Sequence, residues 1–191
     1  MNHLPLIAGL IIFLGVHRIP AAPAFRARLI ERFGAGGYKG LFSLASALGL
    51  GLFVWGFGLA RQDPVLLYTP PAVFTNVTAA LMIPVFILLV AYGLPGRIAA
   101  AVKHPMLLAI KIWALAHLLS NGFVHEVLFF GSFLGWAVFD RISLKKRGAA
   151  GATASSAPLR NDLTAVFGGL GAYVAFVLWL HQIVTGVPAI Y

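Results

Sequence analysis

The chain alternates long apolar runs with short breaks that hold its prolines, glycines and charges. Six runs stand out, at residues 3–17, 38–60, 72–94, 105–122, 124–140 and 162–185. They lack the strict apolar–polar alternation of a half-buried strand, and they approach the roughly 20 residues a helix needs to cross a hydrocarbon core. Lipid offers a peptide group no hydrogen-bond partner, so continuous runs of this kind satisfy their backbone internally, as helices. The pattern predicts an all-α fold, a polytopic integral membrane helical bundle with about six transmembrane helices.

Two breaks have a character of their own. In "PAAPAFRARLIERFGAGGYKG", Phe25, Leu29 and Phe33 recur at i, i+4 and i+8, with Arg26, Arg28, Glu31 and Arg32 elsewhere around the helix. This predicts an interfacial amphipathic helix ended by the glycine-rich turn. The stretch "SLKKRGAAGATASSAPLRND" is basic at its start and then small and polar, which predicts a mobile cytoplasmic linker over about 143–161. Neither an internal repeat nor a second domain is visible, so residues 1–191 read as a single transmembrane domain.

Composition removes the soluble classes, with 60% hydrophobic residues, 10% charged residues and a mean hydropathy of +0.92. A net charge of +9 would suggest nucleic acid in a soluble protein. Here the cations sit in the breaks, so no nucleic-acid partner is expected and membrane lipid is. Arg18, Arg26, Arg28, Arg32 and Lys39 fall in the first break, Arg97 and Lys103 in the third, and Arg141, Lys145, Lys146, Arg147 and Arg160 in the fifth. The second and fourth hold only Arg61. Twelve cations against one place the odd-numbered loops in the cytoplasm and both termini outside. The first run lacks a cationic leader and reads as a retained anchor rather than a signal peptide.

The chain has no cysteine, which excludes disulfides, iron–sulfur clusters and thiolate chemistry. The polar residues within the fourth run, "HPMLLAIKIWALAHLLSNG", draw the chemical question. At helical spacing Trp113, His117 and Asn121 form one stripe with Ser120 beside it, while His104 and Lys111 share another face. An ionisable group facing lipid costs at least ~2.5 kcal/mol for lysine, so this helix is expected to line protein or a cavity. His117 has two readings. It is an axial metal ligand with Trp113 as a flat wall and Asn121 as a supporting acceptor, or it is a helix–helix hydrogen-bonding group. His17, with Gly15 before it and Pro20 after, is either a ligand or an interfacial residue at a helix end. His104 precedes Pro105 at a helix start and, taken alone, reads as a polar residue at the cytoplasmic interface. His3, His125 and His181 receive no role. Glu126 stands as a single carboxylate near the outer ends, which gives a paired-carboxylate mechanism no support. A phosphate loop, a nucleophile elbow and an HExxH motif are all absent.

The blocks "LGVHRIP", "RARLIERFGAGGYKGLFSL", "KHPMLLAIKIWALAHLLSNG" and "FFGSFLGWAVFDR" resemble the NnrU family of bacterial membrane proteins, which is related to plant and cyanobacterial 15-cis-zeta-carotene isomerase. The last two blocks are the specific ones. The resemblance implies a multi-pass protein of the bacterial inner membrane, associated through the NnrU branch with denitrification and nitric oxide metabolism. Through the isomerase branch it implies haem b with histidine axial ligands and a redox-sensitive cis-trans isomerisation of a polyene. Aligned by motif, the metal ligands fall on His17 of "GVHR" and His117 of "WALAH". A further histidine of the plant enzyme falls near Trp136.

Depth in the membrane suggests a second pairing. His17 and His104 both lie near the cytoplasmic interface, whereas His117 is 13 residues, about 20 Å of helix, beyond His104. The motif matches favour His17 with His117, and depth favours His17 with His104. Two other function classes compete. "KHPMLLA" shares His-Pro with membrane methyltransferases resembling isoprenylcysteine carboxyl methyltransferase, which use S-adenosylmethionine, but it lacks their preceding Arg and following Tyr-x-Gly. A non-enzymatic accessory or transport protein would use its histidines only to join helices.

Overall fold

The computed structural model describes residues 3–153 and 158–189, which are helical along most of their length. Among the described residues eight α-helices run in order: α1 (Leu4–Val16), α2 (Pro23–Ala60), α3 (Val73–Gly93), α4 (Arg97–Val102), α5 (Pro105–Ser120), α6 (Val124–Lys146), α7 (Leu159–Ala175) and α8 (His181–Thr185). A 3-10 turn, Ile19–Ala21, precedes α2, and a π-helical turn, Phe176–Leu180, joins α7 to α8. Prolines open α1, α2 and α5 in the first turn, where a missing N–H costs nothing.

Among the described residues, five helical stretches are long and apolar enough to cross a membrane: Leu4–Ala21, Pro23–Ala60, Val73–Gly93, Val124–Lys146 and Leu159–Thr185. The sixth expected crossing is α5, apolar but only 16 residues long. It is short because Lys103, with φ 65°, breaks the chain before it and Asn121 is extended after it.

The amphipathic segment and the second crossing are joined within α2 across a break at Gly34, whose φ of 71° and ψ of 166° are far from helical. That conformation is accessible essentially to glycine alone. The segment expected as a linker begins differently, since α6 stays helical through Lys146. The N–H of Ala152 then donates to the Lys103 carbonyl at 2.8 Å. Residues 154–157 of that segment lie outside the described residues.

The chain divides into two compact units, Met1–Tyr68 with Gly122–Leu144, and Thr69–Asn121 with Lys145–Tyr191. In the first, α1 lies against the second half of α2. Glycines make the approach possible: a side chain on Gly9 would strike the Phe53 backbone, one on Gly49 the Phe13 backbone, and one on Gly56 the backbone of Pro5 and Leu6. In lipid, where water does not drive helices together, such small-residue contacts let backbones meet and gain dispersion energy. Leu6, Leu10 and Phe53 form the buried centre, with Phe13, Phe57, Phe129 and Phe133 around it.

In the second unit α3 packs against α5 and α7. Val85, Leu88 and Ala109 are buried together, with Trp113 packed on them, and Ala91, Ala99 and Ala165 form a second cluster. Gly169 meets the Ile87 backbone. The start of α7 is pinned by charge. The Asp162 carboxylate, nine-tenths buried, accepts from the N–H groups of Arg97 at 3.1 Å and Ile98 at 3.0 Å, while the Asn161 amide donates to the Pro95 carbonyl at 2.9 Å. A carboxylate at the first turn of α4 satisfies donors that the helix itself leaves open.

Candidate functional site

His17 follows the last residue of α1, and its Nδ1 donates to the Phe13 carbonyl, 2.6 Å away and one turn back. A carbonyl only accepts, so the proton sits on Nδ1 and, in the neutral ring, Nε2 is the nitrogen with a lone pair to offer. Aromatic rings surround this imidazole within the first unit. Phe13 lies 4.3 Å away between centroids, Phe42 5.2 Å and Trp136 6.3 Å, the last two edge-on. The next residue, Arg18, sets its guanidinium 3.3 Å over the Phe139 ring, which ties this end of α1 to α6.

His117 has the same local arrangement in the second unit. Its Nδ1 donates to the Trp113 carbonyl at 2.9 Å, so Nε2 again carries the lone pair, and the two rings are tilted at 55° with centroids 5.7 Å apart. Thr78 of α3 donates to the neighbouring Ala116 carbonyl at 2.7 Å, which fixes this turn of α5. Trp113 packs against the Val85, Leu88 and Ala109 cluster.

The expected polar stripe holds for Trp113 and His117 and stops there. Asn121 is extended, with φ −123° and ψ 119°, and ends the helix instead of continuing its face. Its N–H donates to the His117 carbonyl at 2.9 Å, and its side-chain oxygen lies 3.3 Å from the Ser120 hydroxyl, which can donate to it. His104 is the cap residue at the other end of α5. His104 and His117 are therefore about 20 Å apart along one helix, so one iron can take only one of them.

Among the described residues there is no group of three or more His, Asp or Glu able to hold a metal ion. An imidazole with a pinned tautomer can serve as a ligand to an iron whose equatorial positions a macrocycle fills. Alone it does not suit an ion that needs a cage of side chains.

A family model described as NnrU protein matches residues 5–189. The chain belongs to the NnrU family. No curated protein and no solved structure matches it.

Within this NnrU family member the structure brings forward residues to which the sequence pattern assigned no role. Trp136 is the clearest, an indole edge-on to His17 whose Nε1 is buried without a hydrogen-bond partner. Its placement in the "FFGSFLGWAVFDR" block was the available signal. His125, 3% exposed, stacks on Phe123 at 5.8 Å and meets Phe57 edge-on at 5.0 Å, its Nδ1 also lacking a partner. Glu126 beside it accepts the Phe123 N–H at 3.0 Å. That is half of a capping box, legible as a glutamate three residues after the cap. Nearby, the N–H groups of Leu67 and Tyr68 donate to the Gly122 carbonyl and that of Val124 to the Val65 carbonyl. Burial and then the Glu126 carboxylate push the Tyr68 hydroxyl above its usual range.

Proposed function

We propose that this NnrU family member is a haem-b-binding protein of the bacterial inner membrane, with His17 and His117 as candidate axial ligands and nitric oxide as the small molecule its iron meets. The observation that carries the reading is the shared ring geometry, with each Nδ1 tied to the carbonyl one turn back, which puts the lone pair of each neutral ring on Nε2. Metal-ligating histidines are held in this way by a hydrogen bond at the other nitrogen, which sets both tautomer and ring orientation. When bound, haem would supply an iron that exchanges electrons and, once one of the two imidazoles gives way, would take up a diatomic ligand. The chain's own part would be to hold the imidazoles, to surround them with apolar rings and to keep water from them.

A polyene isomerase reading uses the same iron with another reactant. It draws support from Phe13, Phe42 and Trp136, whose ring edges and faces meet the His17 imidazole and would equally contact a conjugated chain. An absorption spectrum and pyridine haemochrome assay of the detergent-purified protein, expressed with haem precursor, test the cofactor. A stoichiometric b-type spectrum is expected. A reproducibly colourless, folded protein would make the histidines helix-packing groups and leave the family's fold without this mechanism. Nitric oxide added to the ferrous protein should then shift the Soret band, and a shift produced instead by a cis-polyene would favour the isomerase.

A further inference from the structure

The first half of α2, residues 23–33, carries a charge pattern that the haem reading does not use. At about 100° per residue, Phe25, Leu29 and Phe33 fall within an arc of about 80°. Arg32 lies about 20° and Arg28 about 60° beyond one edge of that arc, and Arg26 lies about 20° beyond the other, toward Ile30. Glu31, the one carboxylate of the segment, falls about 160° from Leu29, on the far side. Phe25 is 48% exposed and Phe33 45%, with Leu29 between them half-buried, so the two ends of the apolar arc are not consumed by packing within the chain. Gly34 breaks the helix at the end of this arc, and the Arg26 guanidinium lies 5.5 Å from the Tyr38 ring centroid, reaching across the break.

We infer that residues 23–33 form a binding surface for the anionic headgroups of the cytoplasmic leaflet, lying in the plane of the interface beside the second crossing. A solvated helix places its cations opposite its apolar face. This segment places three arginines at the borders of that face, where long side chains reach headgroup phosphates while their stems cover acyl chain. The carboxylate is kept on the side facing water. Each arginine near a negatively charged leaflet adds its own attraction, so three together make the segment selective for anionic over zwitterionic lipid.

The chain lacks cysteine, so single reporters can be placed cleanly. Full-length Leu29→Cys and Glu31→Cys, each carrying an environment-sensitive dye, are reconstituted into vesicles of phosphatidylcholine alone or with phosphatidylglycerol. Quenching by acyl-chain quenchers is then read. In anionic vesicles the Leu29 reporter should be quenched at least about twofold more than the Glu31 reporter, and the contrast should shrink in pure phosphatidylcholine. R26Q/R28Q/R32Q, added to the Leu29→Cys background, should abolish the dependence on lipid charge. Equal quenching at the two positions in anionic vesicles would overturn the inference, as would a contrast indifferent to phosphatidylglycerol. A Leu29 reporter already shielded in detergent would show packing against protein and overturn it too. The lipid comparison needs no arginine variant, so it stands if the triple variant misfolds.

Discussion

The Trp136 indole stands edge-on to the His17 imidazole, with ring centroids 6.3 Å apart and planes at 85°. Each group has its own anchor. His17 is tied to Phe13 by its Nδ1, and Trp136 sits on α6 with Phe133 one turn away, itself 6.1 Å from Phe13. The indole therefore limits how the imidazole can rotate. Its buried N–H, lacking a partner, offers nothing that phenylalanine would lose. On the proposed haem reading, Trp136→Phe should keep the fold and the haem content, whereas Trp136→Ala removes the wall beside His17 and should cost about 3–5 kcal/mol of stability with loss of haem. Thermal unfolding followed at the Soret band distinguishes them. Equal haem retention in both would show that the indole does not position His17.

The ligand assignment turns on α5. His104 and His117 stand at its two ends, so alanine at each gives an unambiguous reading. His17→Ala and His117→Ala are expected to strip haem from protein that remains folded by circular dichroism, while His104→Ala retains it. Loss of haem in His104→Ala with retention in His117→Ala would reverse the pair in favour of the depth argument.

Asp162 supplies both acceptors for the first turn of α4. Asp162→Ala leaves two backbone N–H groups without these partners beneath a nine-tenths buried side chain, and hydrogen bonds to a charged group contribute about 1.5–3 kcal/mol each. The expected outcome is faster amide exchange over residues 95–103. Asp162→Asn keeps one oxygen acceptor and should fall between the wild type and Asp162→Ala. Unchanged exchange in Asp162→Ala would mean that the carboxylate does not hold α4.

Much of this was legible in the sequence for physical reasons that differ by residue. Apolar runs report helices in lipid directly, because the backbone has no other solution there, and five of the six runs appear as helices long enough to cross. The fourth is the exception. Run length counts Asn121 and Gly122 as apolar continuation, but Asn121 turns extended to let Val124 pair with Val65, a contact made across more than 50 residues that no local pattern encodes. The Phe25, Leu29 and Phe33 spacing gave the amphipathic segment, and its glycine-rich end gave the break, because φ above zero leaves few residue choices. The tertiary partners were not visible. Nothing local to His17 points to Trp136, nor anything local to Gly96 to Asp162, since both contacts depend on how separate helices pack.

The α1–α2 crossing offers a sharper test of packing. A Cβ at Gly56 would collide with the Pro5 and Leu6 backbone, whereas Gly51 on the same helix has nothing within 4 Å. Overpacking usually costs about 1–3 kcal/mol, and backbone is less able to yield than a side chain, so Gly56→Leu should reach or exceed the upper end. Gly51→Ala should be neutral or slightly stabilising, since glycine is the poorer helix former by about 1 kcal/mol. Unfolding in mixed micelles measures both. A Gly56→Leu protein as stable as the wild type would mean that the helices do not approach closely there.

Gly34 couples the fold to the membrane surface. As one continuous helix, the 38 residues of α2 would extend about 57 Å, nearly twice the ~30 Å hydrocarbon thickness, and would carry Phe25 and Phe33 away from the interface into water. The non-helical glycine prevents this by redirecting the chain at the end of the amphipathic segment. Gly34→Ala must either hold an alanine in a conformation costing about 1–3 kcal/mol or let the two halves straighten. Spin labels at Ala27→Cys and Ala47→Cys, both exposed and 20 residues apart, read the choice, since a straight helix separates their backbones by about 30 Å and a bent one by less. The variant should shift the distance distribution upward toward the straight value. An unchanged distribution at unchanged stability would mean that the helix break does not depend on glycine.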